Sequence, residues 1–388
     1  MAAVKVSRRA AINLRSGYPW VYAGDVVDRG QAQPGDAVEV LAPDGAVLGT
    51  AHFSSTSEIT LRLLSRAAEP LDREFFRRRI AAAIAWRRRV VCDSEAYRLV
   101  HAEGDRLPGL IVDRYGDYLS IQTLTQGMER AKSDVVAVLA ELLNVRGIVE
   151  RNDVKRRRQE ELPLTAGVVY GEVPDRVSFL MNGLRWEADL LRGQKTGAFL
   201  DQRENYLAAA RWAHGRALDC FSSTGGFALH LASRCDSVEG VDSSEAALEL
   251  AERNRRHNGI TNVCFRQADV FELLTGYAAT GRRFETVVLD PPALAKTRAA
   301  LRPALEAYRQ LNYRALQLLA PGGVLVSCSC SYHVSEDALV DLVKSAAGEL
   351  GRNVRLLERR GQPLDHPVLL NAPATSYLKC LILEVTPD

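Results

Sequence analysis

The stretch Ala217-Leu218-Asp219-Cys220-Phe221-Ser222-Ser223-Thr224-Gly225-Gly226 carries the fold prediction. It begins as a buried strand, continues into a glycine-bearing turn and leads into a helical pattern. The same alternation continues to the end of the chain. Further strands are predicted over 238–242, 262–266, 285–290, 324–329, 354–357 and 377–385, and helices over 227–233, 244–258, 301–319 and 336–350. This order predicts an α/β fold with a doubly wound, mostly parallel sheet.

The residues before this sheet predict two further parts. Residues 1–68 are predicted to be β, with a hairpin at Pro43-Asp44-Gly45. Residues 69–190 mix a helix capped by Asp72 with hairpins, one of which turns at Asn182-Gly183. We therefore predict three domains, over 1–68, 69–190 and 191–388.

Composition is that of a globular protein rather than a fibrous or disordered one. The chain has 388 residues, of which 47% are hydrophobic and 25% charged, with a net charge of +2. The seven cysteines are scattered without a CxxC pair, which predicts a reducing compartment, no disulfide framework and no metal site. No stretch reaches about 18 uninterrupted apolar residues, and no secretory signal is recognisable. We therefore expect a cytoplasmic protein without a membrane partner.

The residues that end the predicted strands are the candidates for a ligand site. In doubly wound sheets, ligands bind at the carboxyl ends of the strands, where the strand order reverses. The residues at these positions are Asp219, Asp242, Asp269, Asp290 and Cys330.

The first turn argues against a phosphate-bearing cofactor. It lacks G-x-G-x-x-G and also the Gly-Lys-Ser/Thr of a P-loop, so a nicotinamide dehydrogenase is disfavoured. Asp242 is placed to accept from ribose hydroxyls and Asp269 from an adenine amine, while Asp219 can meet a cationic amino-acid end. Adenosine and an amino acid without phosphate describe S-adenosylmethionine. The alternative is that these aspartates only cap helices.

The fourth strand ends in Asp290-Pro291-Pro292-Ala293. Paired prolines fix φ and predict a stiff loop beside the cofactor. Methyltransferases that act on exocyclic amines often place an aromatic ring after such prolines. Ala293 stands there instead, which disfavours an amine target.

Two cysteines lie in the next strand, within Ser327-Cys328-Ser329-Cys330-Ser331. Cys330 ends the strand, where a thiolate can add to a pyrimidine ring and make the neighbouring carbon nucleophilic. Cys328 is predicted to be a small buried residue, with a second thiol on the same face as the alternative if the strand stays regular.

Two basic segments are candidates for binding phosphate. Seven arginines and two acids lie between Asp72 and Arg89, and Arg78 and Arg89 share a helix face. The second segment is Lys155-Arg156-Arg157-Arg158. Both can bind RNA or form solvated outer faces, and the sequence leaves these alternatives open.

The chain resembles one family, the RlmI-like class I methyltransferases that form 5-methylcytosine in 23S ribosomal RNA. The resemblance covers nearly the whole chain. It rests on the stretches Gly17–Gly24, Gly104–Leu110, Asp113–Gly116, Lys195–Arg203, Asp219–Gly226, Asp290–Pro292 and Ser329–Ser331. The segment Asp365-His366-Pro367 is also similar to the family's sequence, and we assign it no role.

The resemblance implies an N-terminal PUA-like RNA-binding β-barrel, a central α+β domain and a Rossmann-like catalytic domain. It implies Cys330 as the nucleophile and Asp290 as the residue that holds the cytosine edge. The expected cofactor-binding residues are Phe199, Leu200, Asp201, Gln202, Asp219, Cys220, Phe221, Ser222, Thr224, Gly225, Gly226, Asp242, Ser243, Asp269, Val270, Asp290 and Pro291. Family members also suggest a homodimer.

The predicted activity is therefore methyl transfer from S-adenosylmethionine to carbon 5 of a cytosine in 23S ribosomal RNA. One alternative is methylation of an RNA guanine, which needs no cysteine nucleophile. Another is a non-catalytic RNA-binding protein that keeps the fold. The sequence does not identify the base that removes the proton from carbon 5, or the cytosine that is modified.

Overall fold

The computed structural model describes residues 1–193, 198–295 and 297–387. By their contacts, the residues form two compact units. The N-terminal unit comprises residues 1–183, 188–200 and 364–375, and the C-terminal unit comprises residues 184–187, 201–363 and 376–388. This division does not test the predicted boundaries after residues 68 and 190, which stay a prediction.

The N-terminal unit begins with a sheet whose strands are β1 (Ala2–Val6), β2 (Trp20–Tyr22), β3 (Val26–Asp28), β4 (Ala37–Leu41), β5 (Val47–Phe53) and β6 (Ile59–Ser65). Their spatial order is β2-β6-β5-β4-β1-β3. The predicted hairpin between β4 and β5 is confirmed, and Gly45 takes the left-handed backbone (φ 84°) that the turn requires.

A helix that the sequence pattern does not predict follows β1. Helix α1 (Arg8–Arg15) is capped by Ser7, whose side chain accepts from the Ala10 N–H, and it buries Ala10, Ala11 and Leu14. The helix spans only about two turns, too few for a 3.6-residue period to be recognised in the sequence.

The rest of the N-terminal unit is α+β. It contains α2 (Arg73–Val90), β7 (Ala96–His101), β8 (Leu110–Tyr115), β9 (Tyr118–Thr123), α3 (Gln126–Arg130), α4 (Lys132–Leu143), β10 (Gly147–Arg151) and β11 (Ala166–Gly171). The strands lie in the order β11-β10-β9-β8-β7. Asp72 caps α2 as predicted, accepting from the Phe75 N–H at 2.9 Å. Phe75, Phe76 and Ile80 of this helix are buried against the sheet.

A short pair of strands follows, β12 (Val177–Met181) and β13 (Leu184–Ala188). Asn182 and Gly183 between them have φ of 53° and 78°. Positive φ at both central residues is the signature of a type I′ turn, which confirms the predicted turn.

The C-terminal unit holds the α/β sheet. Its elements are α5 (Arg203–Trp212), β14 (Arg216–Cys220), α6 (Gly226–Leu231), β15 (Ser237–Asp242), α7 (Glu245–His257), β16 (Val263–Gln267), α8 (Val270–Ala279), β17 (Phe284–Leu289), α9 (Leu301–Leu318), β18 (Leu319–Ser329), α10 (Glu336–Glu349), β19 (Val354–Arg360) and β20 (Lys379–Val385). The strand order is β16-β15-β14-β17-β18-β20-β19. The first five of these strands in spatial order run parallel, and β20 is antiparallel to both its neighbours.

The strand order reverses between β14 and β17, which places the ligand crevice at their carboxyl ends. The doubly wound sheet predicted from the sequence is thus confirmed. Three details differ from the prediction, the first of which is that α5 (Arg203–Trp212) was not predicted. Helix α8 was missed, and β18 begins at Leu319 rather than Val324, because Leu319 already pairs with Phe284 across an irregular register. Among the described helices, none is both long and apolar enough to cross a membrane.

Candidate active site

The turn after β14 has an unusual backbone. Phe221, Ser223 and Gly225 have φ of 65°, 48° and 89°. A left-handed backbone is unfavourable for residues other than glycine, and such strained residues are concentrated at functional sites. Gly226 has its own constraint, since a Cβ there would collide with the ring of Tyr206 on α5. The sequence of this turn is therefore constrained both by its left-handed backbone and by the Tyr206 ring.

Asp219 lies beneath this turn and is fully buried. Its Oδ2 accepts from the Ser222 hydroxyl at 2.7 Å and from the Ala228 N–H at 2.9 Å. Within the described part of the chain, its Oδ1 has no hydrogen-bond partner. Burial raises the pKa of Asp219 to about 7, and the carboxylates of Asp290 and Asp242 add to the increase. A buried carboxyl with an unused oxygen is suited to pair with a cation.

Asp242 ends β15 and is half-buried. Its Oδ2 accepts from the Ser223 N–H and its Oδ1 from the Ser244 N–H, both at 2.9 Å. A carboxylate oxygen has more than one lone pair, so each oxygen can accept a further hydrogen bond. The neighbouring Ser243 is exposed, and its carbonyl accepts from Gln267 Nε2 at 3.1 Å.

Asp269 and Val270 follow β16 and have structural roles. The exposed Asp269 caps α8, accepting from the Glu272 N–H at 3.1 Å, and Val270 is buried in the core of the unit. The hydrogen bond of Asp269 to the Glu272 N–H therefore agrees with the alternative in which this aspartate caps a helix. An additional hydrogen bond with adenine stays a prediction.

Asp290 follows β17, across the point where the strand order reverses. Its Oδ1 accepts from Gln202 Nε2 at 2.9 Å. Gln202 Oε1 in turn accepts from Asn205 Nδ2 at 2.7 Å, and Asn205 Oδ1 accepts from Arg360 Nε at 2.9 Å. This chain of hydrogen bonds runs from β19 to the end of β17 and orients the Asp290 carboxylate.

Cys330 follows β18 and is half-exposed. Its Sγ lies 4.0 Å from the Pro291 carbonyl oxygen, so the thiol is adjacent to the Asp290-Pro291 segment. A buried cluster of hydroxyls holds the two segments together. The Tyr308 hydroxyl lies 3.0 Å from Ser329 Oγ and 3.1 Å from Ser331 Oγ, and the Ala295 N–H donates to Ser331 Oγ at 3.1 Å.

Cys328 has a different environment from Cys330. It is fully buried within β18, directly opposite Cys380 of β20. Burial raises the pKa of the Cys328 thiol well above its ordinary value, and Cys380 adds to the increase. Because β18 ends at Ser329, the strand regularity that a shared face with Cys330 would require does not extend to Cys330. The packing alternative for Cys328 is favoured.

Comparison with known proteins identifies the relatives of this chain. Residues 4–66 match a PUA-like domain, and residues 155–383 match an S-adenosylmethionine-dependent methyltransferase domain. The chain is 39% identical over 391 residues to ribosomal RNA large subunit methyltransferase I of Shewanella amazonensis, with 98% of each chain covered. It is 38% identical over 378 residues to the protein of the same name from Tolumonas auensis, with 95% of each covered. This chain belongs to the ribosomal RNA large subunit methyltransferase I family.

Solved structures agree with the fold of this family member. A Streptococcus mutans protein assigned as a SAM-dependent methyltransferase superposes with a TM-score of 0.84 at 20% identity. A methyltransferase solved in complex with S-adenosylhomocysteine superposes with a TM-score of 0.86 at 21% identity. Both comparisons cover 99% of this chain and 100% of the other. They show the Rossmann-like methyltransferase fold, which confirms the predicted fold class.

The cofactor of this family member is S-adenosylmethionine, as the sequence predicts. When bound, it supplies an electrophilic methyl group. The unpartnered Asp219 Oδ1 suits the ammonium of its methionine end, and the spare acceptor capacity of Asp242 suits the ribose hydroxyls. Among the described residues, no group of three His, Cys, Asp or Glu side chains is placed to hold a metal ion.

Replacing Asp242 with alanine is expected to lower the affinity for S-adenosylhomocysteine roughly 10–100-fold, because the ribose hydroxyls that the sequence prediction assigns to Asp242 would lose their acceptor. Isothermal titration calorimetry measures this loss. Asp236→Ala is the matched control, since Asp236 is an exposed aspartate just before the amino end of the same strand. Equal affinity of the two folded variants would refute the assignment of Asp242.

The stretch Lys195–Arg203, one of those that carry the family resemblance, is only partly described. Lys195, Thr196 and Gly197 lie outside the described residues. Phe199 and Leu200 are grouped with the N-terminal unit, and their part in cofactor binding stays a prediction. Asp201 is buried and accepts from the Tyr377 hydroxyl at 3.0 Å.

The predicted phosphate-binding residues divide into exposed and buried side chains. Arg78 is exposed and paired with Glu69 at 2.7 Å, and the guanidinium of exposed Arg89 lies 5.4 Å from the ring centroid of Trp86. Lys155, Arg156 and Arg158 are also exposed.

The prediction for Arg157 is wrong. This arginine is fully buried, paired with Glu129 at 2.8 Å, and its Nε donates to the Pro163 carbonyl at 2.9 Å. A short 3₁₀ helix over Lys155–Glu160 turns this side chain inward and leaves its neighbours outside. Arg157 therefore supports the interior and is not accessible to RNA.

Sequence reasoning missed several residues around the thiol. Tyr308 has the spacing of a core residue on α9, and nothing in that pattern indicates what its hydroxyl touches. Asn205 and Arg360 extend the hydrogen-bond chain that begins at Gln202. Neither residue lies in a recognisable sequence motif. Lys379 could have been noticed in the sequence, because it begins a strand that is mostly apolar and buried.

Proposed function

We propose that this chain transfers the methyl group of S-adenosylmethionine to carbon 5 of a cytosine in 23S ribosomal RNA, with Cys330 as a covalent nucleophile. The supporting observation is the position of the Cys330 thiol. It is half-exposed and adjacent to the Asp290-Pro291 segment, directly after the strand that neighbours β17. A thiol next to the expected methyl-donor site has a clear use in carbon methylation and none in methylation of a guanine nitrogen.

The chemistry needs these residues in defined roles. The Cys330 thiolate attacks carbon 6 of the cytosine, and the electron pair displaced from the 5,6 double bond makes carbon 5 nucleophilic. Carbon 5 then takes the methyl group. A base removes the proton from carbon 5, and the carbon–sulfur bond breaks as the double bond re-forms, which returns the thiolate. We assign Asp290 to the cytosine edge, where its carboxylate accepts from the exocyclic amine.

The choice of RNA rests on the N-terminal unit and on the relatives. The relatives are named as methyltransferases of large-subunit ribosomal RNA, and residues 4–66 match a PUA-like domain. We keep the division into an RNA-binding domain (1–68), a central domain (69–190) and a catalytic domain (191–388) as part of this proposal, together with a homodimer. The target base leaves the stack to reach the thiol, as enzymes that modify bases require.

Neutralising Lys155, Arg156 and Arg158 with glutamine is expected to weaken RNA binding and flatten its salt dependence. The slope of log affinity against log salt should fall by up to about 0.7 for each phosphate of single-stranded RNA that the variant no longer neutralises. Filter binding at several salt concentrations measures the slope. The control neutralises Arg211, Arg216 and Arg355, which are exposed but ion-paired to glutamates. Identical salt-dependence slopes in both variants would show that Lys155, Arg156 and Arg158 form a solvated face and do not contact RNA phosphates.

The product identifies the function directly. Purified protein is incubated with labelled S-adenosylmethionine and unmodified 23S ribosomal RNA, and the RNA is digested to nucleosides. The proposal expects the label in 5-methylcytidine, at one position when the RNA is sequenced. Label in a methylated guanosine would contradict it and support the alternative activity.

A further inference from the structure

Lys379 is a buried lysine that lies alongside the end of β18. It begins β20 and pairs with Ser329 of β18, one residue before Cys330. Its Nζ donates to the Ser331 carbonyl at 2.6 Å and to the Tyr377 carbonyl at 2.9 Å. The ammonium is therefore held at the residue that follows the cysteine.

Among the described residues, two ionisable groups act on Lys379. Burial lowers the pKa of Lys379 to about 8, while the Cys330 thiol and the Glu336 carboxylate act in the opposite direction. Glu336 lies in the first turn of α10 and is paired with Arg359 at 2.9 Å, so part of its charge is already balanced. Tyr308 also faces the thiol, and burial raises the pKa of its hydroxyl, so it stays neutral near pH 7.

We propose that the Lys379 ammonium stabilises the thiolate of Cys330 and thereby sets the reactivity of this cysteine at neutral pH. The inference rests on the proposed function, in which Cys330 is the nucleophile. Thiols lose their proton more readily beside a cation. Lys379 acts through Cys330 and is a positioning residue.

The proton balance is simple. The S–H bond of Cys330 breaks, the proton passes to solvent and the electron pair stays on sulfur, while Lys379 remains protonated throughout. The same ion pair forms again when the thiolate leaves carbon 6 at the end of the reaction. Two fixed backbone carbonyls hold the ammonium in place, so the pair needs no rearrangement between the two steps.

The reaction of Cys330 with iodoacetamide from pH 6 to pH 10 tests this inference. Mass spectrometry of the digested protein gives the rate for each cysteine, and the exposed Cys92 serves as the internal reference. In the wild type, Cys330 should titrate below the ordinary thiol pKa of about 8.5. A midpoint at or above that value would overturn the proposal without any variant.

Two variants separate charge from hydrogen bonding. Lys379→Gln keeps a donor but removes the charge, and it should raise the midpoint by about one pH unit and slow alkylation at pH 7 about tenfold. Lys379→Arg keeps the charge and should stay within about threefold of the wild-type rate. An unchanged midpoint in Lys379→Gln, or an equal shift in both variants, would show that charge plays no part.

This test does not depend on the proposed function. Alkylation needs neither RNA nor cofactor, so its result stands whatever product the enzyme makes. If Cys330→Ala still methylates cytosine, the covalent mechanism is wrong, and the interaction of Lys379 with Cys330 has no role in catalysis. If Cys330→Ala is inactive while Lys379→Gln alkylates as the wild type does, the inference fails and the proposed function stands.

Discussion

Replacing Cys330 with alanine is expected to reduce cytosine methylation by at least about 10³-fold, because carbon 5 stays unreactive when no nucleophile adds to carbon 6. Transfer of labelled methyl groups to 23S ribosomal RNA measures the loss. Binding of S-adenosylhomocysteine should be retained, since the thiol acts on the base rather than on the cofactor. Calorimetry on the same protein checks this and shows that the variant is folded.

Cys328→Ala is the matched control. The two cysteines are two residues apart, but Cys328 is fully buried opposite Cys380. Its replacement removes one buried sulfur and should leave most of the activity. If Cys328→Ala is the inactive variant and Cys330→Ala the active one, the nucleophile is Cys328 and our assignment of Cys330 is wrong.

Replacing Asp290 with asparagine is expected to reduce kcat/KM for RNA about 10²–10³-fold. The asparagine oxygen can still accept from Gln202, but the amide group then presents a donor where the cytosine amine needs an acceptor. Single-turnover methylation measures the effect.

Asp341→Asn makes the same chemical change at an exposed position on α10 and should match the wild type. An Asp290→Asn rate within about threefold of that control would exclude a role for the Asp290 carboxylate in holding the base.

The doubly wound sheet could be predicted because its strands are buried apolar runs separated by helices with a 3.6-residue period. The strand-end rule then places Asp219, Asp242 and Asp290 near one another from the sequence alone. Helix α8 was not predicted because it begins directly after Asp269, and the pattern does not distinguish a carboxylate that binds a ligand from one that caps a helix.

The surroundings of the thiol could not be predicted in the same way. Lys379 is 49 positions after Cys330 in the chain, and only the antiparallel pairing of β20 with β18 brings it alongside. The hydrogen bond between Gln202 and Asp290 likewise joins residues 88 positions apart. Arg157 shows the opposite error, since a run of like charges gives no indication that one of its members points inward.

The covalent step is tested most directly with RNA in which cytidine is replaced by 5-fluorocytidine. Fluorine at carbon 5 cannot leave as a proton does, so the enzyme should remain joined to the methylated base. The covalent mechanism predicts a protein–RNA band that survives denaturing electrophoresis, requires S-adenosylmethionine and maps by mass spectrometry to Cys330. Methylation of ordinary RNA without any such adduct on fluorinated RNA, or an adduct on another cysteine, would contradict it.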